Sequence, residues 1–209
     1  FIFDPSLVLY LPLYKRDGLT FSSDDKHGHL ATVTGALWTP QGRRFDGIDD
    51  FISCGTAPSL DMTTGLTLEC WVNFTTLGTN VGIVGWDNLQ NVQAYHLVEN
   101  GTDVYFRTST AGNVNVTLNW GRTINNWYHI VGTYDASVSL MSFYLDGNLR
   151  ATGTQSGNIL TANGNLCIGR YYDAGYETNS LIGEVRIYSR ALTPLEIQRN
   201  FLATKWRYR

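Results

Sequence analysis

The chain has 209 residues, 43% of them hydrophobic and 16% charged, with a formal net charge of -3. That balance supplies no bulk attraction to nucleic acid or to an anionic membrane, and no apolar run approaches the ~20 residues needed to span a bilayer. Sandwiches of about 200 residues often fold as one unit, so a single domain over residues 1–209 is expected. The chain begins at Phe1 rather than Met, as a processed or trimmed product would.

In chain order, a first strand is expected near 7–13 ("LVLYLPL"). Residues 43–55, "RRFDGIDDFISCG", read as strand 43–46, a tight connection, and strand 50–54. "GLTLECWVNF" alternates Leu66, Leu68, Cys70, Val72 and Phe74 against Thr67, Glu69, Trp71 and Asn73, a strand with one apolar face. Shorter strands are expected near 82–86, 94–98, 103–107 and 115–119. "WYHIVGTYD" (127–135) has the aromatic and β-branched content of a central strand. "LMSFYLDGNLRATG" (140–153) reads as a hairpin, because Asp146-Gly147 suits a turn in which both residues need positive φ. "GNLCIGR" (164–170) and "LIGEVRIYS" (181–189) close the strand series.

Only the C-terminus changes period. Thr193 reads as an N-cap, Pro194 as the first helical residue and Glu196 as its capping-box partner, giving a helix over about 194–203. Leu195, Phe201 and Leu202 are expected to cover one side of the sandwich, and "KWRYR" to fray. Cys54, Cys70 and Cys167 are an odd set without zinc-ligand spacing, and read as small buried thiols, with one bridge plus a free thiol as the alternative. About fifteen short strands and a late helix imply two stacked antiparallel sheets.

The succession "LVLYLPL", "RRFDGIDDFISCG", "SLDMTTGLTLECWVNF", "WYHIVGTYD", "SFYLDGNLRATG", "LCIGR" and "LIGEVRIYSRALTPLEIQRNF" resembles the laminin-G-like, concanavalin A-type jelly-roll family. The resemblance spans nearly the whole chain in order. It implies an all-β jelly roll of two antiparallel sheets, and an extracellular or cell- or virion-surface setting. It says little about function, because the same architecture hosts lectins, adhesion modules, glycosidases and structural proteins.

The resemblance also implies a structural calcium near Asp46, Asp49 and Asp50, since family members often carry one beside this loop. Calcium takes six to eight oxygens, and this loop offers three carboxylates. Where relatives often read Ile-Asp-Glu-Val near the last strand, this chain has Ile182-Gly183-Glu184-Val185. A plain turn and a structural ion both stay open. Catalysis is disfavoured. The laminarinase-like Glu-x-Asp-x-x-Glu string is absent, Glu69 is followed on its face by Trp71 and Asn73, and the lyase-like Gln-x-His does not occur. His129 reads as a hydrogen-bonded structural histidine half covered by the opposite sheet. Three Asn-x-Ser/Thr triplets, at Asn73, Asn100 and Asn115, are at the level that chance produces in an Asn-rich β protein.

The ligand-binding expectation rests on three polar, aromatic loops. Segment 85–95 contributes Trp86, Asp87, Asn88 and Gln90. Segment 119–127 contributes Trp120, Arg122 and Asn125. Segment 169–179 contributes Arg170, Tyr171, Tyr172, Asp173 and Tyr176. Exposed aromatics would stack on the C–H faces of sugars, while amides and guanidinium groups would bond their hydroxyls. The first functional expectation is thus a non-catalytic module binding a glycan or a surface protein. The second is a structural or decorating subunit of an extracellular assembly, homo-oligomeric or larger, with "FIF" and the basic tail as contact arms. The third is a glycan-cleaving enzyme with strongly diverged acids.

Overall fold

A computed structural model describes residues 4–87, 93–171 and 175–208. Two antiparallel sheets face one another. The first runs in the order β14 (Asn148–Thr154), β13 (Leu140–Leu145), β12 (Trp127–Asp135), β7 (Gly65–Phe74), β16 (Asn179–Tyr188), β5 (Gly42–Asp46) and β4 (Leu37–Thr39), and β1 (Leu7–Pro12) pairs with β16 beside β5. The second runs β11 (Asn113–Asn119), β10 (Asp103–Ser109), β9 (Gln93–Asn100), β8 (Thr79–Asp87), β15 (Leu166–Ile168), β6 (Phe51–Ser53), β3 (Leu30–Thr34) and β2 (Thr20–Ser22). The all-β jelly-roll sandwich read from the sequence is the observed architecture.

Period two decides which side chains fill the space between the sheets. Leu66, Leu68, Cys70, Val72 and Phe74 of β7 point inward and meet Phe106, Leu97 and Trp86 from the second sheet. Burying such side chains contributes roughly 1.5–3 kcal/mol each. The sheets approach closely at Gly132, where a Cβ would overlap the Phe106 ring, so only glycine lets the layers meet there. Asp146 and Gly147 both have positive φ, as the hairpin reading requires. All three cysteines are buried and outside any disulfide, and burial pushes the Cys54 and Cys70 thiols above their ordinary pKa.

Strands β2, β3 and β4 were not foreseen. They are three to five residues long, and much of each is exposed. The outer face of β7 also departs from the alternation reading. Thr67, Glu69 and Trp71 are all buried, because residues 190–192 cover Thr67 and helix α1 (Pro194–Thr204) with the turn after it lies across the other two.

The helix starts as the sequence dictates. Thr193 accepts from the Glu196 N–H, and the Glu196 carboxylate accepts from the Thr193 N–H. Its covering residues differ from expectation. Leu195 and Leu202 are 72% and 50% exposed, while Ile197 is fully buried and Phe201 stacks on Trp71 at 5.7 Å. The basic tail is docked rather than frayed. Tyr208 is 5% exposed and stacks on Trp71 at 4.6 Å and against Trp127 at 4.7 Å. Two aromatic contacts hold Tyr208 to its own sheet, so the tail as far as Tyr208 lies against the sheet rather than extending as a contact arm. "FIF" lies outside the described residues.

Candidate functional site

The Asp46–Asp50 connection is built as a turn. Gly47 adopts φ +79°, the Ile48 N–H donates to Asp46 Oδ1 at 2.8 Å, and the Asp46 N–H donates to Asp50 Oδ2 at 2.9 Å. Asp50 is tucked under Gly35, where any Cβ would collide with its carboxylate. Burial raises the Asp50 pKa, and the neighbouring Asp46 and Asp49 charges add to the rise. Each of the three aspartates places an oxygen within 4.8 Å of the others. Turn bonding thus accounts for Asp46 and Asp50 but assigns nothing to Asp49, and the oxygens stand close enough to share a cation.

The three polar loops behave differently from their composition. Trp86 is a core residue whose indole N–H donates to the Gly164 carbonyl at 2.5 Å. Arg122 is buried. It pairs with buried Glu99 at 2.8 Å, donates to the Gly101 carbonyl and lies 4.0 Å over the Phe74 ring. Glu99 also accepts from the Gly78 N–H at 2.6 Å and from Thr178 at 3.1 Å, so the pair plugs one end of the sandwich. Tyr171 is buried in a cluster with Val98 and Tyr105, edge-on to His96. These three side chains are therefore interior groups, not rim groups offered to a ligand.

Trp120 and Arg170 are half-buried, the first against Tyr128 and the second 3.8 Å over the Phe51 ring. Asn125 is exposed and Tyr176 half-exposed. Asn88, Gln90, Tyr172 and Asp173 lie outside the described residues, and so does the side chain of Asp87. Nor do all three loops converge: segments 119–127 and 169–179 meet at Glu99, through Arg122 and Thr178, while segment 85–95 lies at the other end. Thr79 pairs with Asn100 at the Arg122 end of the β8–β9 hairpin, and Asp87 pairs with Gln93 at the other. The ends are eight residues apart, about 27 Å along a strand.

A cleft of about 710 Å³ opens instead on the helix side of the first sheet, between β1, β16 and α1. Tyr10, Asp24, Arg186, Tyr188, Arg199 and Asn200 line it. Arg186 forms its floor and reaches Glu69 Oε1 at 3.1 Å and Glu184 Oε1 at 3.0 Å. His129 Nε2 donates to Glu69 at 2.9 Å, and the Asn200 side-chain amide donates to the other Glu69 oxygen at 2.8 Å. Tyr10 donates to Glu184 at 3.4 Å. His129 is thus hydrogen-bonded, as expected, but the helix layer covers it rather than the opposite sheet.

Burial raises the pKa of both glutamates. At Glu69 the Arg186 and His129 partners outweigh burial and hold the carboxyl below its ordinary range, whereas at Glu184 burial wins and the carboxyl sits above it. Carboxylates pushed apart in this way can mark an acid–base pair. Here both are buried and engaged by Arg186, and Glu69 also ties Asn200 of α1 to the sheet. Period two could have placed Glu184, Arg186 and Tyr188 on one face of β16. Nothing local placed Tyr10 and Asn200 against them.

Comparison with solved structures returns the same architecture. The neurotoxin serotype D binding domain (botulinum) superposes with a TM-score of 0.76 at 11% identity, covering 95% of this chain and 52% of that one. Domain 4 of AbnA, an extracellular arabinanase from Geobacillus stearothermophilus solved with arabinotriose, gives 0.75 at 19%, covering 93% and 97%. The Trypanosoma rangeli sialidase, solved with sialic acid, gives 0.74 at 19%, covering 98% and 34%. The chain thus spans about half of the toxin domain and a third of the sialidase. No curated protein sequence matches. A family model described as the concanavalin A-like lectin/glucanases superfamily, of laminin-G type, matches residues 46–198. The chain belongs to that family.

Proposed function

We propose that this chain is a non-catalytic glycan-recognition module acting outside the cell or on a cell or virion surface, with the sugar seated in the cleft beside α1. The observation that carries this reading is the cleft itself. Its volume falls within the ~300–1,000 Å³ of small-molecule sites. Half-buried Tyr10 supplies ring surface, while Arg199, Asn200 and Asp24 supply hydrogen-bonding groups of both polarities. The neighbours solved with arabinotriose and sialic acid support a sugar as the ligand class. Trp120, Asn125, Arg170 and Tyr176 would provide a weaker rim contact. The affinity per site is expected to be modest and to rise with multivalency.

The test is calorimetric titration with arabinotriose and a panel of neutral and acidic oligosaccharides. Arg199→Ala should weaken the binding observed by about tenfold, a loss of about 1.4 kcal/mol, without changing the fold, since Arg199 is exposed. Absence of binding by any panel member at millimolar concentration would refute the reading.

A structural calcium at Asp46, Asp49 and Asp50 is a second proposal, supported by the proximity of the three oxygens. Elemental analysis and the melting temperature with and without chelator test it, since a metal that binds only the folded state stabilises it. No metal, and an unchanged melting temperature, would leave Asp46–Asp50 as a turn.

A further inference from the structure

A second aromatic surface lies outside the cleft. Tyr14 sits in the turn Leu13–Lys15 after β1, Trp38 on edge strand β4, and Trp206 in the turn Lys205–Arg207 after α1. The Trp38 indole N–H donates to the Tyr14 carbonyl at 3.1 Å, and the Trp206 indole N–H donates to the Ala203 carbonyl at 3.0 Å. Both indoles are therefore pinned, yet Trp206 is 63% and Trp38 40% exposed. The Arg207 guanidinium lies 3.7 Å over the Tyr14 ring and 4.4 Å from the Trp206 ring centre, tying the two aromatics together.

Two cations stand beside these rings. Among the described residues, neither Arg207 nor exposed Lys15 has a carboxylate within ion-pair distance. Of the acids nearby in sequence or space, Asp24 pairs with Arg16, while Asp17 is exposed two residues beyond Lys15. A chain of net charge -3 thus carries a local cationic spot at its most exposed tryptophan.

An indole whose N–H is already bonded to backbone has only its face to offer, and that face matches the C–H surface of a sugar ring. A guanidinium stacked on aromatic rings keeps its N–H edge free, and that planar fork fits a carboxylate bidentately. Rings held in place beforehand lose little freedom on binding. We infer that Tyr14, Trp38, Trp206, Arg207 and Lys15 form a platform for a carboxylate-bearing glycan, distinct from the cleft. The inference rests on the glycan-recognition reading and adds charge selectivity to it.

The test follows the indole N–H resonances of the full chain during titration with trigalacturonate and, separately, with neutral galactotriose. Trigalacturonate should shift the Trp206 and Trp38 signals, at least tenfold more tightly than galactotriose, and should weaken with added salt. Arg207→Gln should cost tenfold or more in affinity for the acidic sugar, and Lys15→Gln about threefold. Both are surface substitutions, and circular dichroism checks that the fold is kept. The proposal is overturned if ~10 mM trigalacturonate leaves both indoles unmoved, if the neutral sugar shifts them equally, or if Arg207→Gln binds like the parent. It is equally overturned if the signals move with protein concentration alone, since the occupant is then a second copy. Unmoved indoles together with sugar-induced shifts of the Tyr10 and Tyr188 backbone amides, recorded in the same titration, would remove the platform and keep the glycan reading. Shifts at Trp206 with a silent cleft would support the platform and move the recognition site to it.

Discussion

Replacing Glu69 by Gln should loosen the layer that α1 forms on the first sheet. The Glu69 carboxylate accepts from His129, Arg186 and Asn200 and is buried. Gln keeps the shape but loses the charge, and its amide NH₂ must face at least one of these donors. Removing one partner of a buried ion pair costs about 3–5 kcal/mol. Glu184 still compensates Arg186, so the expected loss lies at the lower end, about 3–4 kcal/mol. At ~2–4 °C per kcal/mol for a chain of this size, the melting temperature should fall by roughly 6–16 °C. Chemical unfolding followed by tryptophan fluorescence measures the loss. Near-UV circular dichroism reports the Trp71 environment, which changes if Phe201 and Tyr208 leave it. A loss below about 1 kcal/mol with an unchanged Trp71 signal would refute the idea that this polar cluster fastens the helix.

Three further outcomes follow from single contacts. Gly132→Ala should destabilise by about 1–3 kcal/mol, because the added methyl overlaps the Phe106 ring in a packed core; equal denaturation midpoints would show that the sheets can part there freely. Glu99→Gln should cost a similar ~3 kcal/mol by leaving the buried Arg122 charge without its partner, and a smaller loss in the Glu99→Gln/Arg122→Met double variant would confirm the coupling. The pH dependence has a definite sign at Glu196, whose hydrogen bond from Arg190 lowers its pKa to about 2. A lowered folded pKa adds stability that is present above the unfolded value of ~4.3 and is lost as pH falls toward about 2. Glu196→Gln should therefore flatten the stability profile between those limits, and an unchanged acid limb would contradict the pairing.

The sequence made legible what short-range patterning controls. β7 alternates over ten residues, β12 is rich in aromatic and β-branched residues, Asp146-Gly147 demands a hairpin, and Thr193-Pro194-Leu195-Glu196 announces a capped helix. Strands β2, β3 and β4 escaped because a short, largely exposed strand has too few inward positions to show a period. The burial of Trp86, Arg122 and Tyr171 escaped for another reason. Their partners are Gly164, Glu99 and Val98, far away in sequence, and composition alone cannot tell a plugged rim from an open one. The cleft was hidden in the same way. It joins Tyr10 to Arg186 and Asn200, and α1 covers Glu69 and Trp71, which alternation assigns to solvent.

The most direct measurement is a titration of the isotopically labelled chain with the tightest-binding oligosaccharide of the panel, with backbone amide shifts mapped along the sequence. The expected result is saturable shifts concentrated on β1, the 184–188 half of β16, and residues 196–203 of α1. Shifts confined to the 119–127 and 169–179 segments would contradict the cleft as the sugar site. No shift at millimolar sugar would contradict glycan recognition itself.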